Sequence, residues 1–316
     1  MENNKKSDLL NAIKKNGGLK EFTTKKYYSI LALVGLYFFI IGCFIILWLI
    51  KDINAPPLLI KILLFTAIGW AQYSIGNGMH EAIHKNFPFK NDYLSGIIAA
   101  YPIGLTMSYR DIHLDHHRYV GSKDDPDYQY YEKFPSSKVE LMGRIIYNAS
   151  GIPAVTQFLK LQTKNNNKSS RNEIILLLMV QGAILLVITA AFKSPVYYLF
   201  YWVLPVATVG KCLSSTRLMC EHASAEGWVI RTITGSRLKT WVLGAFDFNY
   251  HAEHHEVPSI PYAHLAELHS LNMTHIRSLS HKNRVVYFDD GSARHDARTT
   301  RGARGGARLA IRTSFA

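Results

Sequence analysis

Cysteine is scarce in this chain of 316 residues: Cys43, Cys212 and Cys220 are the only three, and no two form a CxxC pair. That spacing excludes a disulfide framework and a thiolate zinc site. No dinucleotide fingerprint, haem motif or Cys-rich cluster occurs, so any electrons the chain uses come from outside it. Acidic residues are also few, 23 against 36 Lys and Arg, for a net charge of +13. A basic balance first suggests nucleic acid. We expect no nucleic-acid partner, because basic residues flanking apolar spans are what cytoplasmic loops carry. Charge is missing altogether from several long stretches, which points to a membrane protein.

Those stretches organise the chain. Residues 1–27 are polar and Lys-rich, lack a signal-peptide pattern, and read as a cytoplasmic N-terminal segment. Residues 28–50 hold no charge and are long enough to cross a hydrocarbon core of about 30 Å. A Pro-containing turn leads to a second span, 58–79; a third runs over 174–192 and a fourth over 196–210, where Pro205 is expected to introduce a kink. Residues 85–173 are rich in Lys and Arg, which places them in the cytoplasm. The apolar run from Tyr93 to Tyr109 is read as interfacial or re-entrant, because a crossing would part the His residues on either side of it. An amphipathic helix is expected from Tyr262 to Leu271. From residue 283 onward there are seven Arg and no Lys, the composition of a basic disordered or artefactual tail.

Histidine is abundant at 14, and its spacing carries the chemistry. His80 and His84 are spaced HxxxH; His113, His116 and His117 are spaced HxxHH, as are His251, His254 and His255. On a helix each set shares one face. Each lies at the predicted cytoplasmic end of a span or beside an interfacial segment. His222, just past the fourth span, is a ninth candidate; His264, His269, His275, His281 and His295 lack the spacing and are expected at the surface. Nine imidazoles exceed what one ion takes, since zinc binds about four ligands. The count argues for two metals with four or five nitrogens each. Imidazole alone does not choose among iron, copper, nickel and zinc. Two irons would bring the O₂ chemistry that attacks an unactivated C–H bond.

The boxes HEAIH (80–84), HLDHH (113–117) and HAEHH (251–255), with NYH before the last and VPSIP after it, resemble the membrane-bound fatty acid desaturases and their hydroxylase and ketolase relatives. The resemblance spans about residues 28–272, and residues 28–282 are taken as the desaturase domain. It implies an all-α integral membrane fold: four transmembrane helices in two hairpins, with a cytoplasmic helical cap holding a di-iron site. It implies two Fe²⁺ ions on the nine histidines, a lipid acyl substrate, and a ferredoxin or cytochrome b5-type donor, in a bacterial inner membrane with both termini cytoplasmic. Asn249 resembles a polar position that reaches one metal through water. Glu256 departs from relatives that carry an apolar residue after HH. Glu81, Asp111, Asp115, Glu221 and Glu253 stand beside the boxes, where carboxylates orient metal-bound imidazoles. Arg110 and Arg118 would neutralise these acids or grip an acyl carrier's phosphate.

Three other functions compete. Hydroxylation or ketolation of a carotenoid, alkane or other lipid shares the same first hydrogen abstraction. HEAIH also fits HExxH, the zinc protease motif with Glu81 as general base, but that leaves both HxxHH boxes idle. A metal transporter or sensor would place its site near the bilayer midplane, whereas these boxes lie at span ends.

Overall fold

Uncharged runs fold as helices because the backbone must satisfy its own hydrogen bonds where water is absent. In the computed structural model, which describes residues 24–53, 57–156, 170–224, 227–233, 240–242, 246–247, 249–276 and 285–288, four helices are long and apolar enough to cross a membrane. They are α1 (Tyr27–Ile50), α2 (Leu58–Ile83), α7 (Arg171–Phe192) and α8 (Val196–His222). Phe38, Leu58 and Val187 are more than two-thirds exposed on them, as lipid-facing side chains would be. α1 turns Leu33, Leu36, Ile40, Cys43 and Leu47 inward at helical spacing.

α2 and α8 approach each other closely. A Cβ on Gly69 of α2 would stand 2.6 Å from Val209 Cβ and 2.8 Å from the Pro205 carbonyl oxygen, so only glycine fits there. α8 is not uniform. π-helical turns at Leu199–Val203 and Val206–Gly210 flank Pro205, which has no N–H to continue the ladder. Gln72 of α2 donates to the Trp202 carbonyl at 2.9 Å inside this stretch. The sequence places the end of the fourth span at residue 210. The helix instead runs on through Lys211–His222, although Lys211, Arg217 and Glu221 end the apolar run.

The apolar run after Tyr93 does not form a spanning helix. It builds α3 (Asp92–Ser95), a π turn (Gly96–Ala100) and a 3₁₀ turn (Tyr101–Ile103), and stops at Gly104 with φ 81°. Twelve residues at about 1.5 Å each cannot cross about 30 Å. The carbonyls at its broken end are taken up by other helices. Gln181 of α7 donates to Tyr101 and Pro102, and the Trp202 indole N–H donates to Pro102 at 2.9 Å. Irregular backbone among membrane helices is stable only when served in this way.

The remaining elements are short. They are α4 (Tyr109–Tyr119), α5 (Tyr128–Tyr131), α6 (Lys138–Ala149), α9 (His251–Glu256) and α10 (Leu265–Ile276). The β content is small: β1 (Ala223–Ser224) pairs antiparallel with β2 (Gly227–Trp228), and β3 (Ile230–Ile233) pairs parallel with β4 (Val285–Phe288). β4 falls inside the stretch expected to be tail. Residues 1–23 and 289–316, with what the sequence suggests for them, lie outside the described residues.

Candidate metal centre

Each histidine box sits on a helix end that other contacts fix. α2 carries His80 in its last turn and ends at His84, its C-cap. Arg110, at the start of α4, donates to the Ile83 carbonyl at 3.2 Å and to both Asp92 oxygens at 2.6 and 2.8 Å. One guanidinium thus ties the first box to the second. It holds the Asp92 carboxyl down at about 2, chiefly through its hydrogen bond. Asn86 donates to the Pro258 and Ile260 carbonyls, and Glu81 accepts the Tyr262 N–H at 3.0 Å. The VPSIP stretch is thereby fastened to the end of α2, which sets the third box over the first.

All nine histidines meet. Ring nitrogens of His80, His84, His113, His117 and His254 lie within 4.8 Å of one another, and so do those of His116, His222, His251 and His255. The groups touch where His117 stacks on His255, ring centres 4.2 Å apart. Because His80 and His84 meet His113–His117, the segment between them returns to the end of α2 where it began.

The geometry fits metal ions better than a hydrogen-bonded network. In the first group His84 Nε2 lies 2.9 Å from His113 Nε2, which lies 3.0 Å from His117 Nε2, which lies 3.1 Å from His254 Nε2. A neutral imidazole has one N–H, so three contacts along one row of Nε2 atoms cannot all be proton-bridged. Metal–nitrogen bonds of about 2.1 Å set adjacent ligands about 3.0 Å apart. In the second group His251 Nε2 lies 2.8 Å from His222 Nε2. His255 Nε2 is buried there with no hydrogen-bond partner among the described residues.

Electrostatics keeps these rings neutral, as ligation requires. Burial, then the Arg110 charge, lowers His84 to about 4. Burial with the neighbouring His84 and His116 lowers His117 to about 2. Burial also pushes His113, His251, His254 and His255 well below the ordinary value. His116 is the exception. Burial opposes its charge, but the Asp125 hydrogen bond, with the Asp127 charge, raises it.

Two rings have their orientation set from behind. Both Asp125 oxygens lie 3.0 Å from His116 Nδ1, and Asp125 accepts in turn from the Tyr131 hydroxyl and the Asp127 N–H. His222 Nδ1 donates to the Val229 carbonyl at 3.1 Å. Each contact fixes the tautomer and turns Nε2 into the second group.

The carboxylates expected beside the boxes divide. Glu221 is fully buried, with Oε2 3.7 Å from His251 Nε2. Glu253 is buried too, but it takes Thr232 and His269 rather than a ring of the two groups. Glu81 serves the Tyr262 backbone. Asp115 pairs with Arg118 on the exposed side of α4, where Asp111 also lies. A carboxylate on the outer face of that helix cannot reach an imidazole on its inner face. Arg118 is engaged there, as Arg110 is with Asp92. Asn249 donates to the Ile233 carbonyl at 3.2 Å and pins β3 beside the third box. Asp125 is the carboxylate that sequence spacing missed. Its only signal is the acidic Asp124-Asp-Pro-Asp127 loop, eight residues past the second box. His264 and His269 are also not surface residues: His264 is 2 % exposed against Glu267, and His269 bonds Glu253 at 2.6 Å. His281 and His295 lie outside the described residues.

The protease alternative loses its geometry here. His80 and His84 belong to a group of five imidazoles, and Glu81 is turned to the backbone of Tyr262.

A comparison with curated proteins finds no match. The family model described as fatty acid desaturase matches residues 54–289, three-quarters of the chain and all three boxes. Four apolar helices, three histidine boxes gathered at one end and this match together make the chain a member of the fatty acid desaturase family, an oxidoreductase-type membrane protein with histidine clusters that can hold metal.

Proposed function

We propose that this chain is an O₂-dependent di-iron fatty acyl desaturase that introduces a double bond into a lipid acyl chain. One observation carries the reading: nine imidazoles, three at the ends of membrane-length helices and six on the short helices α4 and α9, divide into groups of five and four, each compact enough for one ion. His80, His84, His113, His117 and His254 would hold one iron, and His116, His222, His251 and His255 the other. When bound, the pair would activate O₂, the oxidant for a C–H cleavage that side chains cannot perform.

The chain's own residues prepare the site. Burial favours the neutral form of the imidazoles other than His116, so their lone pairs are free for metal at neutral pH. Asp125 and the Val229 carbonyl keep a proton on Nδ1 of His116 and His222, leaving Nε2 as the donor. Arg110 and Asn86 lock the three boxes to one another, which keeps the two groups in register. The boxes face the cytoplasm in this reading, where a ferredoxin or cytochrome b5-type protein delivers electrons to the basic surface.

The test is lipid analysis of cells expressing the chain, with His254→Ala as control. New unsaturated acyl chains that vanish in the variant are expected. New hydroxylated lipid or oxidised carotenoid in their place would overturn desaturation in favour of the hydroxylase or ketolase chemistry.

A further inference from the structure

A helix on the surface of a water-soluble cap turns its apolar stripe inward. α6 (Lys138–Ala149) is built the other way round. None of its residues is buried. Val139, Met142, Ile146 and Tyr147 share its outer face at helical spacing, and each is more than half exposed. Ile152 and Val155, also more than half exposed, follow just past its end. The polar side chains are on the other face. Arg144 and Asn148 line a small cavity together with Ser215, Thr216 and Met219 of α8. Arg144 is engaged there, donating to Glu140 at 2.6 Å and to the Lys133 carbonyl at 2.7 Å. A continuous apolar stripe that points away from the protein marks an interaction surface.

We propose that α6 is an interfacial helix whose outer face, with the stretch on to Val155, lies in the lipid of the bilayer leaflet on the side of the histidine groups. Its level along α8 supports this occupant. The Cys212 thiol donates to the Ile145 carbonyl at 3.7 Å, just past the apolar run of the fourth span. A Cβ on Gly151 would stand 3.5 Å from Thr208 and 3.8 Å from the Ala207 carbonyl oxygen, both inside that run. The stripe therefore descends to a depth where the neighbouring span already faces hydrocarbon. An interfacial helix buries its apolar face in the boundary between headgroups and acyl chains, and α6 is placed to do so. Charge points the same way. Lys138 opens the helix and is exposed, with a stem long enough to carry its ammonium up to the headgroups. Residues 157–171, next in sequence, hold Lys160, Lys164, Lys168 and Arg171 and no acid, a composition suited to lipid phosphates. The inner face packs on Lys211–His222, the extension that delivers His222. Lipid thus holds α6 against the helix that carries one of the nine histidines.

The experiment places the photoreactive residue p-benzoylphenylalanine at Met142, Ile146 or Asp115, one position at a time, in the full chain. Membranes of the expressing cells are illuminated, and the chain is purified and weighed by mass spectrometry. Benzophenone inserts into neighbouring C–H bonds, so it records what covers each position. Gel filtration checks that each variant folds, and Val139 replaces either α6 position that fails. The expected result is an adduct of one phospholipid at Met142 and at Ile146, and none at Asp115, which pairs with Arg118 on the exposed side of α4. A cross-link to a second copy of the chain, or to another protein, in place of the lipid adduct would overturn the proposal. Lipid adducts no more frequent on α6 than at Asp115 would overturn it too. The readout needs neither metal nor turnover, so its failure leaves the desaturase reading untouched.

Discussion

Asp125 determines which nitrogen of His116 faces the four-histidine group. Both of its oxygens sit on Nδ1, and Tyr131 and the Asp127 N–H hold the carboxylate in place. Losing such a partner typically lowers metal affinity by about 10–100-fold. Asp125→Asn should therefore weaken iron binding at one of the two sites by that order, read by chelator competition on the purified chain. Asp115→Ala should leave it unchanged, because Asp115 faces Arg118 and solvent. Equal effects in both variants would refute the orientation argument. The contrast also shows what spacing can and cannot reveal. HxxHH marks donors because helical geometry alone puts them on one face. A carboxylate behind a donor is brought there by the path of a loop, and no periodicity encodes a loop. His264 and His269 were hidden for the same reason, since their partners Glu267 and Glu253 bury them on an element whose packing the sequence does not specify.

At the level of elements, long apolar runs mark all four long helices, three of them uncharged and one interrupted by Lys61 near its start, since a span needs length and apolarity and both are legible residue by residue. Their ends are less legible. α8 reads as finished where Lys211 appears, yet the helix continues and delivers Glu221 and His222 to the site. The charged residues of that extension are satisfied by partners distant in sequence, such as Asn77 for Arg217. Nor does the sequence reveal that α2 and α8 touch at Gly69. Gly69→Ala would drive a methyl into Val209 and the Pro205 carbonyl oxygen, while Gly35→Ala meets nothing within 4 Å. Overpacking of this kind costs about 1–3 kcal/mol. Thermal unfolding in detergent should show a lowered midpoint for Gly69→Ala and an unchanged or raised one for Gly35→Ala, where alanine also favours the helix. A Gly69→Ala protein as stable as wild type would contradict the close approach.

For the molecule as a whole, the buried imidazoles link stability to acidity. Unfolded histidines take up protons below about 6.5. In the folded chain His84 stays neutral down to about 4 and His117 to about 2. A lowered pKa means that the unfolded state binds more protons as pH falls through that interval, so the folded state loses ground there and is favoured fully only above about 6.5. Bound metal acts in the same direction, because protons compete for the same nitrogens. The unfolding midpoint of the detergent-solubilised chain should drop between pH 7.5 and 5.5, and drop further when metal is present at the higher pH; a flat profile would refute neutral burial of the rings.

The division of the nine histidines also has a consequence for how the protein is made. Four of the five donors in the first group, His80, His84, His113 and His117, lie in the first half of the chain, whereas the second group has only His116 there. Synthesis proceeds at about 5–20 residues per second, so roughly 7 to 27 seconds separate His117 from the third box. During that interval the nascent chain presents one nearly complete nest of imidazoles and only a single member of the other. On the proposed two-metal reading, the first group could take up an ion while the ribosome is still working, whereas the second would wait for His222, His251 and His255. Truncated chains would then carry a half-charged centre, and the finished pair would certify that translation reached the last box.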